Sequence, residues 1–319
     1  MNKAKKPAAP AQLTLDDIPN DLRVQILTEG FISKRGHEGQ THVIKIGGRP
    51  VEDTVISGRF CEQTAIARYD IGVSPVVIHG AGDKITAAIK ELLKEESDFD
   101  RRGRISRANH MDVIKSIMMK ANEGLCETFR EAAARVHVPV VPLGIGAFNG
   151  NLIVATPFDA AGNNFSGSPV RVNTTFLRAV LADKTVVPFI YTMCHSDRVY
   201  THEDKKVTKI NVNADTAGAA IMIALNADRY YAIIDKPGVL DADGKVIPRI
   251  REDEVEDLKK SGVIHSGMVT KLDNAVDIAV ETQKPVFITD ENWLGDALTI
   301  RGRGTEVVAS PSITPRLRA

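Results

Sequence analysis

Four short segments place a polar or glycine cluster directly after a strand or at the opening of a helix. The first is Lys45-Ile46-Gly47-Gly48. Paired glycines let a backbone approach a ligand closely, and their N–H groups can line an anion site. Lys45 projects from the strand that ends there. The second, His79-Gly80-Ala81-Gly82, lies between an apolar strand and a helix start. Free N–H groups and the positive end of the helix dipole favour an anion there. The third, Asn211-Val212-Asn213-Ala214-Asp215, packs two amides and a carboxylate against the start of a helix. The fourth, Ser266-Gly267-Met268-Val269-Thr270-Lys271, is a glycine turn that delivers Lys271 at the start of another helix. Asp235 closes an apolar run just before a Pro-Gly turn. Polar groups gathered at strand–helix junctions are where α/β proteins bind ligands. Singly, each cluster has a plain structural account as a solvated lysine, a turn or a cap. In this order they are hard to explain as structure alone.

Other motifs fail on spacing. Gly144-Ile145-Gly146 with Gly150 has one residue too many for a dinucleotide fingerprint, and Leu152 to Ala155 reads as a strand where a helix is required. Gly238 to Lys245 is one residue too long for a Walker loop, and Val246 stands where a magnesium-binding hydroxyl is needed. Asp241-Ala242-Asp243-Gly244 is better read as a hairpin turn. His37, Glu38 and His42 miss the metalloprotease spacing by one residue.

The elements that must position the clusters alternate as strand and helix. Strands are expected at 43–46, 76–78, 138–143, 185–191 and 286–288. Helices are expected over 85–93, 110–134, from Asn173 or Thr174 through Val180, over 253–260 closed by Gly262, and over 270–282. Residues 195–207 read as a solvent-facing hairpin. This rhythm predicts an α/β fold, a three-layer αβα sandwich around a mainly parallel open sheet. An N-terminal lobe over 13–207 and a C-terminal lobe over 208–308 are expected, flanked by disordered tails at 1–12 and 309–319. Lys+Arg and Asp+Glu are both 41 among the 319 residues, which argues against a nucleic-acid binder working by phosphate neutralisation. Apolar runs are strand-sized, too short to span a membrane. Residues 1–12 lack the apolar core of a secretory signal. Cys61, Cys126 and Cys194 are odd in number and far apart, so neither a disulfide framework nor a metal site is supported. A cytosolic protein with reduced thiols is expected.

The motifs K-I-G-G, H-G-A-G, N-V-N-A-D, I-I-D-K-P-G-V-L and S-G-M-V-T-K resemble, in order and rough spacing, those of the amino acid kinase family, from about Thr41 to about Thr305. The likeness is strongest to members that phosphorylate N-acetyl-L-glutamate in arginine biosynthesis. The resemblance implies transfer of the γ-phosphoryl of ATP onto a carboxylate, with Mg2+ carried by the nucleotide phosphates. It implies that Lys45 and Lys271 clamp the transferred charge and that Asp215 holds both lysines. Gly48, Gly80, Ala81 and Gly82 match backbone donors around the phosphoryl. Arg104 matches the group that grips the substrate's α-carboxylate, and Asn211, with Asn213 beside it, matches the amides at the substrate. Asp235, Gly238, Val239 and Leu240, with Val263, Ile264 and His265, match the nucleotide site. The implied partners are an acidic small molecule, ATP and copies of the same chain in a dimer or hexamer, with no nucleic acid or membrane.

Three departures bear on the substrate. Ala81 replaces a family glycine, which is costly only if the position needs a positive φ. Arg107 replaces an acid in R-I-S-R and joins Arg101, Arg102 and Arg104 in a basic cluster, either a solvated loop or a device admitting a more acidic or larger substrate. Gly302 to Thr305 keeps the family's G-x-G-T without the histidine and glutamate expected before it, with Asp296 and Ala297 nearby. In arginine-regulated members an effector sits there beside an N-terminal helix, which residues 15–34 could supply. Two other functions stay open: the same chemistry on another blocked amino acid or carboxylate, and a catalytically weak nucleotide or metabolite sensor. The apolar stripe of 110–134 suits either the core or a dimer face.

Overall fold

The computed structural model describes residues 17–100, 102–159, 163–202, 205–264, 266–295, 302 and 304–310. The tail expected at 1–12 and residues 311–319 of the second tail lie outside them. Ser310 is buried, and its hydroxyl accepts from the Asp253 N–H at 3.2 Å.

An eight-stranded sheet runs through the molecule. Its order is β12 (Arg249–Arg251), β14 (Thr305–Val308), β13 (Val286–Thr289), β11 (Arg229–Ile233), β1 (Thr41–Ile46), β2 (Ser74–His79), β8 (Val186–Tyr191) and β5 (Val141–Gly146). Every neighbouring pair is parallel except β13–β14. The expected mainly parallel open sheet is present. The strand expected at 138–143 begins three residues later, at Val141. The central strands are apolar on both sides, as a sheet covered on two faces requires. Val43, Val76 and Ile78 join one core, and Ile44, Ile46 and Val77 join the other.

Helices cover both faces. α3 (Thr54–Ile66), started by the Asp53 side chain accepting from Val55 N and Ile56 N, packs with α5 (Met111–Arg135). The apolar stripe of α5 is core: Met118, Leu125 and Phe129 are buried, and Val113 and Ile117 pack against buried neighbours. α4 (Gly82–Ala88) continues through a π-helical turn, Ile89–Leu93. α6 (Thr174–Ala182) is capped by Asn173, and α7 (Ala214–Leu225) by Asn213. α8 (Val255–Lys260) ends before Gly262, whose φ is +71°. α9 (Ser266–Thr282) starts four residues before the expected position. Gly267 therefore lies inside the first turn of that helix rather than in a preceding turn. α1 (Asn20–Arg35) buries none of its residues, and Val24, Leu27 and Phe31 on it are exposed. α2 (Arg49–Glu52) follows directly from Gly48.

A second sheet was not apparent from periodicity. β6 (Ile153–Pro157), β7 (Ser166–Val172), β9 (Met193–His202) and β10 (Lys205–Val212) close into a small barrel. The expected hairpin at 195–207 is the outer part of β9 and β10, whose inner ends bury Cys194, Ile210 and Val212. β3 (Phe99–Asp100) and β4 (Gly103–Arg104) form a minimal hairpin by themselves. No helix among the described residues is long and apolar enough to cross a membrane.

Three histidines are buried as neutral rings. Burial, then the Arg229 charge, lowers His37 to about 4. Burial lowers His79 to about 4, helped by the Lys84 charge and opposed by a hydrogen bond to the Gly80 carbonyl. Burial also holds His42 well below the usual range. Unfolding lets these rings take protons near pH 6.5, where the folded state refuses them. Stability is therefore full above about pH 6.5 and falls as pH drops toward about 4. Urea midpoints measured between pH 7.5 and 4 should decline across that window, and His37→Gln should flatten part of the slope. A flat profile would contradict neutral burial.

Candidate functional site

β1 and β2 lie side by side and end together at the carboxyl edge of the sheet, Ile46 opposite His79. The two glycine segments therefore face the same space, a cavity of about 370 Å³. Lys45, Gly48, Gly80, Ala81, Gly82, Arg104, Asn211, Asn213 and Asp215 all line it. Nine of the residues singled out by sequence thus meet in one place, drawn from five separate elements or their ends.

At one end sits an ion pair. Lys45 Nζ is 2.9 Å from Asp215 Oδ1, with side chains only 14% and 25% exposed. Asp215 stands in the first turn of α7, where a negative charge is favoured by the dipole. The Lys45 side chain crosses over Gly47, where an added Cβ would lie 3.4 Å from Lys45 Cε. Gly48 has φ 63° and ψ −141°, a conformation essentially reserved for glycine. Neither α2 nor α4 has a side-chain cap. The first N–H groups of α4, which have no intrahelical acceptor, are left for the cavity that Gly82 and Asp83 line, whereas in α2 Pro50 has no N–H and Val51 N donates to Gly48 O at 3.0 Å. Ala81 has φ −145° and ψ 44°, so its Cβ brings no left-handed strain. His79 anchors this turn from below. Its Nε2 accepts from Asn122 Nδ2 at 2.8 Å, which leaves Nδ1–H to face the Gly80 carbonyl at 3.3 Å.

The other end holds Arg104. Its Nη2 donates to Gly82 O at 2.8 Å and to Thr86 Oγ1 at 2.7 Å, and its Nη1 donates to Ser97 Oγ. The guanidinium lies 4.7 Å from the centre of the Phe99 ring. Burial disfavours its charge and Asp83 partly restores it. Nε–H and one Nη1–H have no acceptor among these contacts. Asn211 is buried and fixed by a chain of hydroxyls. Ser166 Oγ donates to Arg104 O at 2.6 Å, so Ser106 Oγ must donate to Ser166 Oγ at 2.8 Å. Ser106 Oγ then accepts from Asn211 Nδ2 at 3.2 Å. The Oδ1 and second N–H of Asn211 remain for a ligand. Asn213 uses its Oδ1 to cap α7 through Asp215 N at 2.8 Å. The basic cluster divides. Arg107 turns away to Glu95 and Asp98 and does not line the cavity. Arg102 lines it, paired with Asp100 at 2.7 Å and lying 4.3 Å over the Phe158 ring.

The remaining positions lie elsewhere. Lys271 is half-buried one turn into α9 and is not part of the cavity lining. Asp235 is exposed after β11, in line with the carboxyl edge of the sheet. Gly238 is buried where a Cβ would meet Thr305 Oγ1 at 2.8 Å. Val239 is buried, and its N–H donates to Thr305 Oγ1 at 2.8 Å. Leu240 bridges to Val246 across the expected 241–244 turn. Val263 is half-buried, and Ile264 packs into the core. His265, Asp296, Ala297 and Arg303 lie outside the described residues. Ser106, Ser166, Arg102, Phe158 and Thr305 were not singled out individually as site residues. The G-x-G-T motif was the available signal for Thr305, whose hydroxyl holds the turn after Asp235 in place.

An arrangement of paired lysine, an uncapped helix start, an arginine and a fixed amide can bind an acid and stabilise charge. The model of the amino acid kinase family matches residues 40–290. An acetylglutamate kinase of Dinoroseobacter shibae is 30% identical over 252 residues, covering 78% of this chain and 81% of its own. An acetylglutamate kinase of Prochlorococcus marinus is 29% identical over 305 residues, covering 93% and 92%. The N-acetylglutamate synthase of Neisseria gonorrhoeae, solved with coenzyme A and N-acetyl-glutamate, superposes with a TM-score of 0.73 at 18% identity, over 91% of this chain and 64% of that one. That likeness shows the fold.

The two glycine-loop positions should behave oppositely. Gly48→Ala meets no atom within 4 Å but cannot keep φ 63° without strain. About 1–3 kcal/mol of strain should appear as lost activity or stability. Ala81→Gly should leave both within about twofold, because its φ is already ordinary. Equal effects in steady-state assays of the two variants would contradict the backbone geometry.

Proposed function

The chain belongs to the amino acid kinase family and is a kinase, and we propose that it phosphorylates the side-chain carboxylate of N-acetyl-L-glutamate with ATP. The observation that carries this is the single cavity in which Lys45, braced by Asp215, faces the glycine turns while Arg104 and Asn211 hold the far end. The Arg104 fork suits the α-carboxylate, and the free Oδ1 of Asn211 suits the amide N–H. The side chain of the acid then points toward Lys45. A side-chain carboxylate oxygen attacks the γ-phosphorus, the bond from that phosphorus to the β–γ bridging oxygen breaks, and ADP leaves with the electron pair. An acyl phosphate remains. Such a transfer needs in-line placement and charge neutralisation more than covalent help from the protein.

Lys45 and the N–H groups of Gly48, Ala81 and Gly82 are assigned to the transferred phosphoryl. Lys271 is assigned to the nucleotide side of the same charge. The turn from Asp235 through Leu240, with Val263 to His265, is assigned to ATP, so that the 13–207 half receives the acid and the 208–308 half the nucleotide. Two residues outside the cavity support this. Thr305 fixes Val239, and Asp235 stands exposed at the carboxyl edge where doubly wound sheets bind ligands. Among the described residues no cluster of His, Cys, Asp or Glu could hold a metal ion. Magnesium would be carried by the nucleotide phosphates.

Two measurements test the proposal. Trapping of the acyl phosphate with hydroxylamine, beside ADP release, should show product with N-acetyl-L-glutamate. Turnover only with a different blocked acid would replace the substrate, and ATP binding without turnover would favour a sensor. Lys45→Ala and Lys271→Ala should each lower kcat by about 10²–10³-fold with much smaller changes in KM. A variant retaining near wild-type kcat would remove that lysine from its role.

A further inference from the structure

One polar group on the cavity wall belongs to none of the networks described. Thr192 follows β8 and lines the cavity, fully buried. Its carbonyl accepts from Val212 N at 3.0 Å and from Cys194 Sγ at 3.8 Å. Its Oγ1 is buried and has no hydrogen-bond partner among the described residues. Buried hydroxyls in folded proteins are almost always paired, because a lone one gives up its water without compensation. The Ser106–Ser166–Asn211 chain is complete without it, and the wall around it includes Ile85, Met118 and Val212. Thr192 lines the cavity, so a group that enters it can supply the missing partner.

We propose that Thr192 is a specificity-determining residue whose hydroxyl donates to the amide carbonyl of an N-acylated amino acid. This rests on the assignment of the cavity to the acid substrate. The chemistry selects an amide over a second carboxylate. Both anionic ends of the acid already have cationic partners, Arg104 and Lys45. A neutral hydroxyl compensates the small desolvation of an amide carbonyl but not that of a carboxylate. The substrate class is therefore a dicarboxylic amino acid with its amine blocked by an acyl group, distinguished from the same diacid without the amide.

The test compares wild type, Thr192→Val and Thr192→Ser in the full chain. The probes are N-acetyl-L-glutamate as substrate and glutarate, the same diacid without the acetamido group, as competitive inhibitor. Thr192→Val should raise the KM for N-acetyl-L-glutamate about 10-fold, with kcat and the KM for ATP within about twofold. The Ki of glutarate should not move. Thr192→Ser should restore KM to within about threefold. The melting temperature of Thr192→Val should equal or exceed that of wild type, because the substitution removes an unpaired buried hydroxyl. A structural role would lower it instead. An unchanged KM in active Thr192→Val, an equal loss for both acids, or a lowered melting temperature with lost kcat each overturns the inference alone. Wild type that neither turns over nor binds N-acetyl-L-glutamate overturns the cavity assignment and the inference with it.

Discussion

The half-buried pair between Lys45 and Asp215 is the contact on which the cavity's order depends. Lys45 ends a strand in the middle of the sheet, and Asp215 opens a helix that follows the small barrel. Neither needs the other for stability in any large measure, since desolvation of such a pair offsets most of its attraction. What the pair supplies is direction. An unbraced lysine has many rotamers; this one lies across Gly47 toward the glycine turns. The residue that carries the carboxylate is itself fixed, because the Asp215 backbone N–H donates to Asn213 Oδ1. A cation aimed in advance does not reorganise as charge develops beside it.

Gly82 couples the two ends of the cavity. Its carbonyl receives Arg104, and its peptide begins α4 beside the glycine turn. The arginine is in turn carried on a strand whose carbonyl is held by Ser166 from the barrel. Arg104 and the glycine turn are therefore built on shared backbone, so a shift at either is transmitted through one or two peptide units. The Arg104 guanidinium lies over Phe99 within the minimal hairpin, and Arg102 ties that hairpin to Phe158.

Much of the cavity was legible in the sequence because its polar groups sit at element boundaries. Glycine turns after apolar strands marked Lys45, Gly48 and Gly82, and the amides before a helix marked Asn211 and Asp215. The direction of Arg107 was not legible, since it depends on Glu95 and Asp98 reached across a folded loop. Nor was the acceptability of Ala81, which turns on a backbone angle that residue types do not reveal. The barrel escaped because its pairings join distant segments and slip in register at Val154/Ala155 and Val207/Lys209, which breaks simple alternation. The start of α9 was misplaced because Gly267 usually signals a turn, whereas here tertiary packing carries the helix through it.

The adjacency of β1 and β11 sets an order of events during folding. Thr41 N donates to Asp228 Oδ2 at 2.8 Å across 187 residues of chain. Contacts so remote close long loops and form late, after local helices and hairpins. On the ribosome the first glycine turn emerges well before its bracing carboxylate exists. A nascent or truncated chain ending before α7 thus carries Lys45 without its anchor and has no assembled cleft. Competence arrives with the second half of the chain, making binding activity a report on completed synthesis as much as on local structure.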